Sequence, residues 1–116
     1  MKDFPVSKGE QLRDFCYIDD VVNGIFEAMT NPRAIGEVIN IASGNPIKVK
    51  DVISQIKKLI GSGKPDYGAL PYRDCENMSL YGDISKAKKI LSWESSTSLS
   101  DGILKSINYY KSKSTK

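Results

Sequence analysis

The sequence contains no histidine, only two cysteines, and no apolar run approaching the roughly 20 residues that span a bilayer. Each absence excludes something. Without histidine there is no mixed Cys/His zinc site, and Cys16 and Cys75 lack the paired spacing of a thiolate site. With no secretory segment to place them in an oxidising compartment, both read as free thiols used for packing. Met1-Lys2-Asp3-Phe4-Pro5 has neither the apolar stretch nor the cleavage pattern of a signal peptide, so the expectation is a cytoplasmic protein with no membrane contact. Charge of one sign is scarce as well. The net charge is +3, and much of the excess sits in the tail at Lys105, Lys111, Lys113 and Lys116, as a solvated helix end. Nucleic-acid binding calls for a concentrated basic face with interleaved aromatics, which is missing. A mild positive balance suits an anionic small ligand without demanding one.

What is present is an ordinary globular composition. At 116 residues, 40% of them apolar and 27% charged, the chain has room for one modest domain with one core, and not for a two-domain enzyme. Arg13 to Ile18 is rich in aromatic and branched residues and reads as a short strand stopping at Asp19-Asp20. From Val21 the positions Val21, Val22, Ile25, Phe26 and Met29 recur at helical spacing, with Asp19 or Asp20 as cap and Asn31-Pro32 as stop. Gly24 costs that helix about 1 kcal/mol relative to alanine, which predicts close packing against a neighbour. Glu37 to Ala42, bounded by Gly36 and Ser43-Gly44-Asn45-Pro46, gives the strongest strand signal, and Asp51 to Ile60 reads as an amphipathic helix stopped by Gly61.

Residues 62–82 read as extended and loop-like, with weak strand signals at 67–72 and 79–81. Asp83 can cap a short helix carrying Ile84, Ala87, Ile90 and Leu91, with Trp93 closing over its end. Ser98 to Asp101 resembles a capping box opening a last helix, with Leu99, Ile103, Ile107 and Tyr110 on its buried face and a frayed tail over 112–116. The alternation of strand and helix predicts an α/β fold, a small, partly parallel sheet flanked by helices, in a single domain over 1–116.

Several segments carry a resemblance when taken in order: Gly9-Glu10-Gln11-Leu12-Arg13-Asp14-Phe15, Tyr17-Ile18-Asp19-Asp20-Val21-Val22, Gly36 to Gly44, Leu70-Pro71-Tyr72-Arg73, Asp83-Ile84-Ser85-Lys86-Ala87 and Leu91-Ser92-Trp93. Together they resemble the C-terminal, substrate-binding portion of the extended short-chain dehydrogenase/reductase family of NAD-dependent epimerases and dehydratases. The stretch from Gly68 to Arg73 looks most like enzymes of the CDP-abequose synthase type. The resemblance implies a region that holds a nucleoside diphosphate sugar while a separate Rossmann domain, absent here, holds NAD(P). It implies Arg13 and Arg73 as the pyrophosphate ligands, a role that suits planar guanidinium groups with paired donors. Gln11 and Tyr72 join them as candidate substrate-binding residues. A blander possibility stands beside this one: Arg13 pairing with Asp14 or Asp19, and Arg73 with Asp74 or Glu76, as surface charges. Asp19, Asp83 and Ser98 read as helix caps, Asn40 as a donor to nearby backbone, and Trp93 and Tyr110 as packing aromatics.

The family's chemistry is not complete in this stretch. Dinucleotide binding needs a glycine-rich turn from strand to helix, whereas Gly61-Ser62-Gly63 follows a helix and lacks the third glycine. Tyr109 and Lys113 have the spacing of the family's catalytic pair but lie after all its C-terminal segments, so the match is chance and no catalytic residue is assigned; the catalytic residues would lie upstream of Met1. The family's usual glycine before the tryptophan is Ser92 here, and Lys50 stands where a helix-capping serine or threonine is usual. Two functions follow: a nucleotide-sugar-binding portion of a sugar epimerase, dehydratase or reductase, with no cofactor in this chain, or a non-catalytic remnant acting as an interaction or self-association module.

Overall fold

Short strands set the framework of the computed structural model, which describes residues 3–114. Strand β1 (Asp3–Val6) pairs in parallel with β4 (Lys64–Tyr67), in register from Asp3 against Lys64 to Val6 against Tyr67. Strand β2 (Leu12–Asp14) pairs antiparallel with β3 (Pro46–Lys48), with Arg13 opposite Ile47. On its other side β2 meets residues 78–80: Leu12 donates to Met78 at 2.8 Å and accepts from Leu80 at 3.1 Å. Three helices flank these ribbons: α1 (Ile18–Thr30), α2 (Val49–Ile60) and α3 (Leu99–Ser114), with a π-helical turn over Ala87–Leu91. The α/β expectation with some parallel pairing holds, although the sheet is two separate ribbons.

Several local expectations hold for the physical reasons given. Helix α2 begins two residues earlier than expected and stops at Gly61, whose φ of 83° lets its N–H reach back to Lys57. Asp83 Oδ1 accepts from the Ser85 N–H, and Ser98 Oγ accepts from the Asp101 N–H, so both cap as expected. Trp93 is buried, and its backbone N–H donates to the Ala87 carbonyl across the end of the π-helical turn. Gly24 is buried, and a Cβ there would lie 2.9 Å from Ile41 and 3.1 Å from Trp93.

Others are corrected. The strand expected over Arg13–Ile18 ends at Asp14, because α1 already begins at Ile18. Neither Asp19 nor Asp20 caps α1, whose first turn follows Tyr17 without a side-chain cap. Asp20 is instead buried and accepts from Ser96 Oγ at 3.0 Å and the Thr97 N–H at 2.9 Å, tying α1 to the loop before α3. The Glu37–Ala42 strand does not form. Ile39 and Ile41 pack toward Trp93 while Val38 is 83% exposed, so the alternation is real, but among the described residues no neighbouring strand completes a ladder. Helix α3 spans Leu99–Ser114, and Tyr110 is 69% exposed, edge-on to Tyr109, rather than buried. Residues 115–116 of the expected tail lie outside the described residues.

The core is thin. Among the described residues, Val52, Ala87, Leu91 and Trp93 are the buried apolar side chains. Of the apolar stripe of α1 expected inside, Val21 is half-buried, but Val22, Ile25, Phe26 and Met29 face outward, and α1 packs instead through Asp20, Gly24 and the half-buried Ala28. The accessible surface is 8157 Å², against about 6,300 Å² for a compact protein of this size. The radius of gyration is 16.8 Å, against about 13 Å. The molecule is a slab of 50 × 40 × 19 Å with much apolar surface uncovered. Between α2 and α3 an open groove of ≈ 970 Å³ is lined by Val52, Ile56, Ile60, Ile103 and Ile107. Among the described residues no helix is long and apolar enough to cross a membrane.

Candidate functional site

The pairing of Leu12 with residues 78–80 brings the segment after β4 alongside β2, and this places Gln11, Arg13, Tyr72 and Arg73 in one neighbourhood. The Tyr72 hydroxyl accepts from the Glu10 N–H at 3.0 Å, fastening the two segments one residue before Gln11. Arg13 Nη2 and Arg73 Nη2 both donate to Oε2 of Glu76, at 3.0 and 3.1 Å. Two guanidinium groups far apart in sequence thus meet at a single anionic oxygen. Arg13 is fixed further by donating Nη1 to the Leu12 carbonyl at 2.8 Å, and its side chain is 22% exposed. Arg73 is 84% exposed, so one arginine is anchored and the other reaches in from solvent.

The loop carrying Arg73 folds for a local reason. Glu76 donates its N–H to the Arg73 carbonyl, closing a four-residue turn, and Cys75, third in that turn, has φ of 58°. A turn with positive φ at its third residue normally takes glycine; here a cysteine with an exposed side chain holds it, at a cost of about 1 kcal/mol. The turn swings Glu76 back over Arg73, and its side chain is 11% exposed.

Gln11 adds a different signal. Its Oε1 is buried with no hydrogen-bond partner, and an unpaired buried carbonyl oxygen costs about 1–3 kcal/mol until something donates to it. A sugar or ribose hydroxyl has the required chemistry. On the opposite side of the segment, Glu10 accepts from Lys50 at 2.7 Å and Lys48 at 3.1 Å, and the hydrogen bonds from Lys50 and then Lys48 hold its carboxyl below the ordinary range. These charges are exposed and partnered among themselves.

Asp14, next to Arg13, is a structural clamp. Its carboxylate accepts from the Ser43 N–H at 2.8 Å, the Gly44 N–H at 2.9 Å and the Gly82 N–H at 3.2 Å, joining two loops to the end of β2. Burial alone would push its pKa up; the bonds from Ser43, Gly44 and Gly82 outweigh burial and hold it below the ordinary carboxylate value. The expected partnership of Arg13 with Asp14 or Asp19 therefore does not form, and Arg13 shares Glu76 with Arg73. Sequence reasoning missed both the shared carboxylate and the Asp14 clamp. The expected surface pairing of Arg73 with Glu76 does form, at 3.1 Å, and what was missed is that Arg13 joins the same carboxylate. Asn40 donates to the Asp83 carbonyl at 3.3 Å, 43 residues along the chain, rather than to backbone of a local turn.

Other candidate features do not assemble. None of Gln11, Arg13, Tyr72 and Arg73 lines the apolar groove between α2 and α3. Gly61-Ser62-Gly63 leads from the end of α2 into β4, the reverse of the strand-to-helix order that aims helix N–H groups at a dinucleotide pyrophosphate, so it does not fit NAD. Lys113 Nζ sits 5.1 Å from the centre of the Tyr109 ring, over its face, as a cation–π pair. Cys16 and Cys75 are free thiols.

The family model described as GDP-mannose 4,6 dehydratase matches residues 1–106. The UDP-glucuronate 4-epimerase of Thermodesulfobacterium geofontis is 37% identical over 106 residues, covering 89% of this chain and 31% of that protein. The CDP-abequose synthase of Salmonella muenchen is 31% identical over 109 residues, covering 92% of this chain and 37% of that protein. The UDP-glucuronic acid 4-epimerase from Bacillus cereus, crystallised with UDP-glucuronic acid and NAD, superimposes with a TM-score of 0.76 at 33% identity, over 94% of this chain and 36% of that one. The chain thus spans about a third of the length of these relatives. Matched along nearly its whole length by sequence and by fold, the chain belongs to the NAD-dependent epimerase/dehydratase family of nucleotide-sugar enzymes.

Proposed function

We propose that this chain is the nucleoside-diphosphate-sugar-binding portion of an NAD(P)-dependent sugar epimerase, dehydratase or reductase, and that it does not turn over substrate alone. The observation that carries the reading is the convergence of Arg13 and Arg73 on one anionic oxygen. That arrangement is the one a pyrophosphate needs: two cationic forks sharing charge that neither neutralises alone. Gln11, with its unpaired Oε1, and Tyr72, fastened beside it, complete the proposed contacts toward the ribose or sugar. The Bacillus cereus relative bound to UDP-glucuronic acid and NAD supports the ligand class.

In this reading the remaining two thirds of the protein, a Rossmann domain, holds NAD(P) and supplies the acid–base chemistry. It also covers the outward stripe of α1, whose Phe26 and Met29 are 62% and 80% exposed. Titration calorimetry with UDP, CDP and dTDP sugars at low salt tests the proposal. Binding lost in both Arg13→Ala and Arg73→Ala is the expected result; turnover of substrate by the isolated chain overturns it.

A second reading rests on the same stripe. An interaction or self-association module, no longer meeting substrate, would use α1 to bind a partner or another copy. It predicts concentration-dependent association in sedimentation together with no nucleotide binding by a folded chain.

A further inference from the structure

Two apolar features of the chain are uncovered, and each has the form of the other's counterpart. The groove between α2 and α3, ≈ 970 Å³, has Ile56, Ile60, Ile103 and Ile107 in its walls, and no residue of α1 lines it. On α1 the exposed Val22, Ile25, Phe26 and Met29 stand at positions i, i+3, i+4 and i+7, the spacing with which an amphipathic helix seats its apolar face in a hydrophobic groove. The lengths agree: α1 has 13 residues and α2 has 12, about 20 and 18 Å at 1.5 Å per residue. The charges agree as well. Helix α1 carries Asp19, Asp20 and Glu27 and no basic residue, whereas Lys111 stands in the groove wall and Lys105 Nζ lies 5.4 Å from the centre of the ring of Tyr17, another wall residue. Asp14, the acid at the wall, is spent on backbone N–H groups.

We propose that the groove receives α1 of a second copy of this chain, so that the chain by itself associates head to tail. The inference rests on the self-association reading, which it deepens, and is independent of the arginine site. Ridge and groove are different surfaces of one molecule, which makes the contact heterologous: every bound pair keeps a free ridge at one end and a free groove at the other, and growth continues until a ring closes. The uncovered area suffices. The accessible surface exceeds that of a compact protein of this mass by about 1,900 Å², enough for one ridge and one groove at the roughly 800 Å² that a standard interface takes from each partner. Phe26 and Met29, the most exposed of the four ridge residues, are the anchors.

The test is sedimentation of the full chain over a concentration series, with variants that spoil one surface each. Phe26→Glu removes the ridge at a side chain that is already exposed, and Ile103→Glu removes the groove. The parent associates, and each variant alone shows a dissociation constant raised about tenfold or more, as for loss of an interface anchor. A mixture of the two variants regains association and stops at a 1:1 pair, because one keeps its groove and the other its ridge. A variant that is only destabilised gives no such rescue. Variants that associate like the parent, or a mixture of folded variants that stays monomeric, overturn the proposal and leave self-association standing. A folded parent that stays monomeric throughout overturns both. Should Ile103→Glu fail to fold, labelled parent, too dilute to associate with itself, is mixed with excess Phe26→Glu. The variant keeps its groove and captures the parent's ridge if the proposal holds, and absence of pairing overturns it.

Discussion

Replacing Asp14 by asparagine removes one charge and turns one acceptor into a donor. The Asp14 carboxylate accepts from three backbone N–H groups in two loops, with Oδ2 taking both Gly44 and Gly82. An asparagine can satisfy Ser43 through its remaining oxygen, which leaves its amide facing the Gly44 and Gly82 donors. Hydrogen bonds to a charged acceptor contribute about 1.5–3 kcal/mol each. Losing two, with partial relaxation of exposed loops, destabilises Asp14→Asn by about 3 kcal/mol, a large part of the 5–15 kcal/mol typical of a domain. The loss falls on a chain whose core is already thin. Urea unfolding followed by circular dichroism measures it. The pH dependence has a definite sign: because the folded-state pKa is depressed, the clamp's contribution is fully present above the unfolded value, near 3.8, and is lost as pH falls through the lower folded value. The gap between parent and variant is constant near neutrality and shrinks only in acid below that value. A variant within about 0.5 kcal/mol of the parent at neutral pH, or a gap indifferent to acid, would refute the assignment of Asp14 as clamp.

Gly24→Ala sets a helix-propensity gain of about 1 kcal/mol against overpacking of 1–3 kcal/mol, typically. Its new Cβ would lie 2.9 Å from Ile41 Cγ2 and 3.1 Å from Trp93 Cε2, so the net is a loss of about 1 kcal/mol and a lower Tm; a rise in Tm contradicts the packing. Cys75→Gly relieves the left-handed backbone at φ 58° and gains up to about 1 kcal/mol, reduced by the extra freedom of glycine in the unfolded chain. Thermal melting reads this too, and a marked loss would mean that the Cys75 side chain contributes contacts beyond its backbone.

Much of this fold was legible wherever a residue acts on its own neighbours. Gly61 stops α2 through its own φ, Asp83 and Ser98 cap the turns that follow them, and Asn31-Pro32 ends α1. What failed was whatever depends on a distant partner. Strands β1, β3 and β4 are three or four residues long and each contains a proline, so their local signal is weak and only pairing makes them strands. Glu37–Ala42 is the converse, a strong local pattern that no neighbouring strand completes among the described residues. The helical spacing in α1 was real, yet periodicity says that a face is apolar and not what covers it. Asp20 looked like a cap because it opens the helix, and its true partners, Ser96 and Thr97, lie far along the chain. The site divides the same way. Arg13 and Arg73 were named through resemblance to a family, and nothing in their spacing says that they meet. Glu76 was visible as a neighbour of Arg73, but its bond to Arg13 spans 63 residues.

The most direct measurement of the central claim is a crystal structure of this chain grown with UDP at low salt. The account predicts the diphosphate within hydrogen-bond distance of both Arg13 and Arg73. A nucleotide bound elsewhere, or one that touches neither arginine while both stay folded against Glu76, would contradict it.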